Sequence, residues 1–179
     1  MMNQHLATYL NDHLAGSVVA IELLERLEAA GSQMAPTLAQ VRADIEADRA
    51  ELREFMRQLQ IAESRPRKLT GWIAEKFSQL KLRLDDPAGG SLRLLESLEL
   101  VALGIQGKLA LWRALSAAAE VGPALRVVDY ERLAGRAQDQ WQRVEALRLE
   151  AAKAALAGPA RPRERLKVKR PSKKRRARA

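Results

Sequence analysis

The side chains with the chemistry to form a site are few and scattered. Two histidines, His5 and His13, stand near the start of the chain, and there is no cysteine. That excludes disulfides, thiol nucleophiles and cysteine-ligated zinc. The string YLNDH sets Asp12 beside His13, but adjacent residues of a helix do not face one another and cannot work as an acid–base pair. No serine is paired with an identifiable positioned base, as a nucleophile requires. Glu96 and Glu99 flank an apolar helical face rather than centring it, which suits solvated edge positions. GIQGK, residues 104–108, has neither the length nor the preceding strand of a phosphate-binding loop. The reading is against an enzyme: no catalytic, cofactor-binding or metal-ligating residue is assigned, and no cofactor.

The elements that must carry these residues are helical. Ala, Leu, Glu, Arg and Gln abound while β-branched and aromatic residues are sparse. Breakers such as AAGSQ, SRPR, DDPAGG, VGP and GPARP divide the chain into five predicted helices. These are 3–29, 36–61, a shorter one at 68–84, 91–119 and 128–156. Residues 1–157 are expected to form one helical domain, and a chain of 179 residues that is 47% hydrophobic supplies a core without staples. Trp72, Trp112 and Trp141 sit at apolar helical spacings and read as core rather than as a base-stacking platform.

Seams alternating by three and four residues mark the faces that meet. On the first helix the seam is Leu6, Leu10, His13, Ser17, Ala20, Leu24 and Leu27; on the second it is Leu38, Val41, Ile45, Asp48, Leu52, Phe55 and Leu59. Opposing Leu27 to Leu38 brings Ser17 level with Asp48 and leaves His13 one turn away. On 91–119 the seam crosses Lys108, and pairing Leu115 with Tyr130 sets Lys108 against Ala137 and Gly104 against Trp141. Gly104 and Gly107 are then explained by close packing, since each costs about 1 kcal/mol in a helix relative to Ala. His13, Ser17, Asp48 and Lys108 all fall near mid-helix. The expectation is an Asp48–Lys108 ion pair hydrogen-bonded to Ser17 or His13, because buried charges are tolerated only when paired. The alternative is that Lys108 reaches water along its apolar stem.

Two helical hairpins joined by a long crossover that holds a short helix resemble, over residues 3–157, the ferritin-like four-helix bundles. Length and the crossover helix are similar to those of the DNA-protecting mini-ferritins, some of which bear basic terminal tails. The resemblance implies an antiparallel bundle and, in its di-iron members, inward carboxylates with Glu-x-x-His pairs. Here the residues three before His5 and His13 are Met2 and Leu10, and neither long helix of the second hairpin has a histidine. No metal ligand carries over. A metal-handling protein with an atypical carboxylate-rich site around His13 is the alternative.

The chain has 31 Lys plus Arg against 22 Asp plus Glu. Residues 161–179 hold 11 of the bases (Arg161, Arg163, Arg165, Lys167, Lys169, Arg170, Lys173, Lys174, Arg175, Arg176 and Arg178) and one acid, Glu164, a net of +10. The first 160 residues keep 20 bases and 21 acids, a net of −1. Segregated like charge reads as a disordered interaction tail, here 158–179, that binds nucleic acid or another polyanion without sequence preference. In that first reading the bundle supplies shape or forms a homo-oligomer; the third reading is a structural or adaptor bundle whose tail serves solubility or localisation, and KKRR and its neighbours would also pass as a nuclear import signal. The N-terminus lacks the pattern of a secretory or transit peptide, and no stretch is apolar enough to span a membrane, so the expected location is cytoplasmic.

Overall fold

The structure is a computed structural model that describes residues 4–64 and 90–157. The described residues form four α-helices and no strand: α1 Gln4–Ala29, α2 Ala35–Gln58, α3 Gly90–Val121 and α4 Tyr130–Leu156, with a 3-10 turn at Pro123–Leu125. The helix expected at 68–84, Trp72 and the basic residues 161–179 lie outside the described residues.

Helix ends follow from local chemistry. α1 stops where Gly31 takes φ +70° and its N–H donates to the Glu28 carbonyl, a left-handed cap that glycine adopts without a Cβ penalty. α2 stops at Gln58, short of the expected 61, through the same device made with a different residue. Gln60 sits at φ +56°, its N–H donates to the Arg57 carbonyl, and the Ile61 N–H donates to the Met56 carbonyl at 2.9 Å. This double bond closes the last turn and turns Ile61 inward, where it is 4% exposed. α3 is capped by Arg126, whose guanidinium donates to the carbonyls of Ala119 and Glu120 at 2.8 and 2.7 Å. α4 begins at 130 rather than 128 because Asp129 is its N-cap, accepting the Arg132 N–H at 2.9 Å.

The short 30–34 and 122–129 connections make α1/α2 and α3/α4 antiparallel hairpins. Ion pairs order the contact between α2 and α4: Asp44 with Arg143, and Glu51 with Arg132 and Arg136. Numbers rise on α2 as they fall on α4, so these two are antiparallel as well. α1 borders α3, and the diagonals are α1 with α4 and α2 with α3. The centre is filled by Leu24, Leu38, Val41, Phe55, Leu98, Ile105, Trp112, Leu133 and Val144, each 2% exposed or less. Full burial of such side chains contributes about 1.5 to 3 kcal/mol apiece.

Six of the seven seam positions expected on α2 are buried. On α1 the core keeps Leu10, Leu24 and Leu27 of the expected seam, takes Leu14 where the seam ran through His13 and adds Leu23 beside Leu24, and on α4 it takes Gln140 in place of Trp141. Gly104 and Gly107 correct the expectation of close packing. A Cβ on either would meet nothing within 4 Å, and Gly104 is exposed. Gly104→Ala is therefore expected to raise stability by about 1 kcal/mol, the ordinary helix-propensity difference. Urea unfolding of dilute protein measures it, and a loss of stability would mean that the site is crowded.

Candidate functional site

α2, α3 and α4 converge on one buried polar cluster. Asp48 lies mid-way along α2 and is 2% exposed; Gln140 on α4 is 1% exposed. Lys108 enters from α3 and its ammonium donates to Asp48 Oδ2 and to Gln140 Oε1. Gln140 Nε2 donates in turn to Asp48 Oδ2 at 2.8 Å. The three side chains thus close a ring in which only one orientation of the Gln140 amide serves both neighbours, oxygen to the lysine and nitrogen to the carboxylate. Asp48 Oδ1 receives no well-aligned hydrogen bond, yet Arg136 Nη2 stands 2.7 Å from it. Its charge is met by ion-pair contact.

Arg136 carries the network outward. It also pairs with Glu51, which accepts from Arg132 Nη2 at 2.6 Å. The Arg132 hydrogen bond, with Arg136 beside it, holds the Glu51 carboxyl below the usual carboxylate range against the opposing effect of burial. Arg143 and Asp44 add a further rung. The α2–α4 seam is consequently ionic, with acids at 44, 48 and 51 facing arginines at 132, 136 and 143, while apolar packing fills the centre.

Of the four residues expected to cluster, the structure brings Asp48 and Lys108 together and places His13 and Ser17 elsewhere. Ser17 Oγ donates to the Leu14 carbonyl of its own helix at 2.6 Å. His13 packs edge-on against Tyr9, ring centroids 4.7 Å apart, and burial pushes its imidazole below the ordinary value with Asp12 opposing. The cause is the rotation of α1 that buries Leu14. Gln140 and Arg136 complete the cluster instead. Neither stood out in the sequence, although Gln140 precedes Trp141 by one residue and follows Ala137 by three, at seam spacing. Asn11 was also missed. Its Oδ1 accepts the Ser64 N–H at 2.7 Å and its Nδ2 donates to the Ala62 carbonyl at 3.3 Å, which fastens the chain leaving α2 to α1.

Burial pushes the Lys108 ammonium below the usual lysine range, and Asp48 restores only part of the shift. A lysine of this kind can serve as a base, but two of the three ammonium protons are committed to Asp48 and Gln140, and ion-pair networks perturb lysines in the same way. The effect is legible in stability. Between the folded value and the unfolded value of about 10.4 the unfolded chain binds more protons, so stability rises with pH across that window. Measured against Lys108→Met, which has nothing there to titrate, the wild type is expected to gain relative stability from neutral pH towards pH ~10. A flat or falling difference would contradict the assignment.

Among the described residues no group of three or more His, Asp or Glu side chains is placed to hold a metal ion, and no helix is long and apolar enough to cross a membrane. Glu99 lies at the surface, 3.4 Å from Arg148. Trp112 is core, 1% exposed, with no acceptor for its indole N–H. Comparison with protein-family models, curated proteins and solved structures found no match.

Proposed function

We propose that this protein is a ferritin-like helical bundle that performs no metal chemistry and acts as a scaffold for its basic segment, residues 161–179, which binds nucleic acid or another polyanion without sequence preference. The observation that carries the reading is the segregation of charge: +10 in those 19 residues against −1 in the other 160. The pairing of the helical part supports it. Among the described residues Arg42, Arg53, Arg57, Arg132, Arg136, Arg143 and Arg148 are engaged with carboxylates, so these seven are not free to form the basic face that a nucleic-acid-binding domain ordinarily shows.

The ferritin-like connectivity draws support from helix directions. α2 and α3 are both antiparallel to α4 and run the same way, as in bundles with one long crossover. At mid-bundle, where metal-binding relatives gather carboxylates, the cations Lys108 and Arg136 surround Asp48. Two cations beside one carboxylate oppose the binding of a third.

Binding of duplex DNA of two unrelated sequences, measured for the full chain and for a form ending at residue 160, tests the reading. Equal affinity for both sequences and loss of binding on truncation are expected, with helical content unchanged. DNA binding by the shortened form at physiological salt, or strong preference between sequences, would move the site into the helices. Stoichiometric iron or manganese in the purified protein would favour the metal-handling alternative.

A further inference from the structure

α3 differs from its neighbours in being apolar almost all round. It buries Leu98, Val101, Ile105, Trp112 and Leu115 towards the other helices, yet its outward side is not the charged surface expected of a helix covered on one face only. Leu103 is 56% exposed, and at the ends of the same helix Leu92 is 50% and Val121 88% exposed. Outward positions follow steps of four and three, Glu99, Leu103, Gln106, Ala110 and Arg113, and every one is exposed. That spacing is a helix-pairing seam. Beside Leu103, Gly104 and Gly107 leave open space, so another side chain could lie close to the α3 backbone.

We propose that this face is the contact surface for a second copy of the same chain, with the two α3 helices packed antiparallel about a two-fold axis through Gln106. The seam is complementary to its own reverse. Turned about Gln106, Glu99 comes level with Arg113 of the second copy, and Arg113 with its Glu99. Leu103 comes within one residue of the small Ala110, and Leu92 within one residue of Val121. An isologous interface demands this property, because each residue must suit its symmetry mate's partner. A parallel pairing would instead oppose Glu99 to Glu99 and Arg113 to Arg113. Both charges are available: Glu99 is 49% exposed with only a loose contact to Arg148, and Arg113 has no ion-pair partner among the described residues.

Size sets the strength. From Leu92 to Val121 the face runs about 45 Å at 1.5 Å per residue, and a strip about 10 Å wide covers roughly 450 Å² per copy. Roughly 900 Å² in total falls below the ~1,200 Å² typical of stable complexes. The dimer is therefore a reversible one, populated with rising concentration, and it would set two basic segments on one particle.

Sedimentation velocity on the full chain, freed of nucleic acid and held near ~150 mM salt, tests the proposal between ~10 μM and ~1 mM, the range over which a weak interface fills. The weight-average mass is expected to rise from 19.9 kDa towards twice that value. Glu99→Arg and Arg113→Glu should each weaken association by ~10-fold or more through like-charge opposition, and the two together should restore it to within about threefold of wild type. Leu103→Glu, at an exposed position that asks nothing of the core, should abolish it with the thermal melt unchanged. A chain that stays monomeric at the highest concentration overturns the proposal, as do a dimer indifferent to both charge reversals and a double variant that stays as weak as the singles.

Discussion

Asp48→Ala is expected to remove about 3 to 5 kcal/mol of folding stability, a large share of what a domain of this size possesses. The side chain is 2% exposed and is the carboxylate that pairs with the Lys108 ammonium. Its removal leaves a lysine, 15% exposed, held by no more than the neutral Gln140 oxygen. It also strips Gln140 Nε2 of its acceptor and leaves Arg136 with Glu51 alone. The penalty is that of a stranded buried charge, not the net worth of the pair. A second substitution separates these two quantities. In Asp48→Ala with Lys108→Met the stranded charge is gone, Arg136 keeps Glu51, and the remaining cost is the unpaired Gln140 amide, about 1 to 3 kcal/mol. The double variant should therefore be more stable than Asp48→Ala alone, with a coupling of about 1 to 3 kcal/mol in denaturant unfolding. A single-variant loss below ~1 kcal/mol would mean that Lys108 is satisfied by water along its apolar stem.

How far this cluster was legible in the sequence depends on which residues are considered. Asp48 and Lys108 could be read because each interrupts a long run of apolar seam positions, and a charge at such a position has to be answered. His13 and Ser17 occupied equivalent breaks and were expected to join them. A small rotation of α1 decided otherwise: Leu10, Leu24 and Leu27 keep their places in the core, but Leu14 buries more apolar surface than His13, and Ser17 finds an acceptor in its own backbone at no tertiary cost. Gln140 and Arg136 were invisible for the converse reason. Polar residues are ordinary on a helix that is half exposed, and only the rotation of α4, which no local signal fixes, turns Gln140 inward and Trp141 to the edge.

The helices themselves were read nearly to their ends because breakers are local. The end of α2 was misplaced by three residues since its left-handed cap uses Gln60 rather than glycine, which costs roughly 1 kcal/mol and leaves no compositional mark. Gly104 and Gly107 failed differently. Glycine inside a helix invites a packing explanation, but packing is tertiary, and these two face outward. Their position acquires a reason only if another chain approaches α3 there.

Binding to duplex DNA is expected to weaken by roughly 500-fold between 50 and 200 mM salt. Residues 161–179 carry 11 bases, no aromatic residue and two prolines, Pro162 and Pro171. Without an aromatic ring there is nothing to stack on a base, and prolines oppose the helix that would enter a groove, so the proposed function requires the contact to be with phosphates. Each phosphate neutralised releases condensed counterions, and the free energy of that release falls as bulk salt rises. If about half of the bases are engaged at once, roughly 5 phosphates, log affinity falls against log salt with a slope of about −4 to −5. The slope is more diagnostic than the affinity. Charge-neutral variants of three of the bases, Lys173→Gln, Lys174→Gln and Arg175→Gln together, should flatten it by about 1 to 2, in proportion to the phosphates no longer neutralised, while leaving the melt of the helices unchanged. A slope near zero would mean that the contact is not with phosphates. A slope that persists after removal of 161–179 would locate the phosphate contacts within residues 1–160 and overturn the assignment.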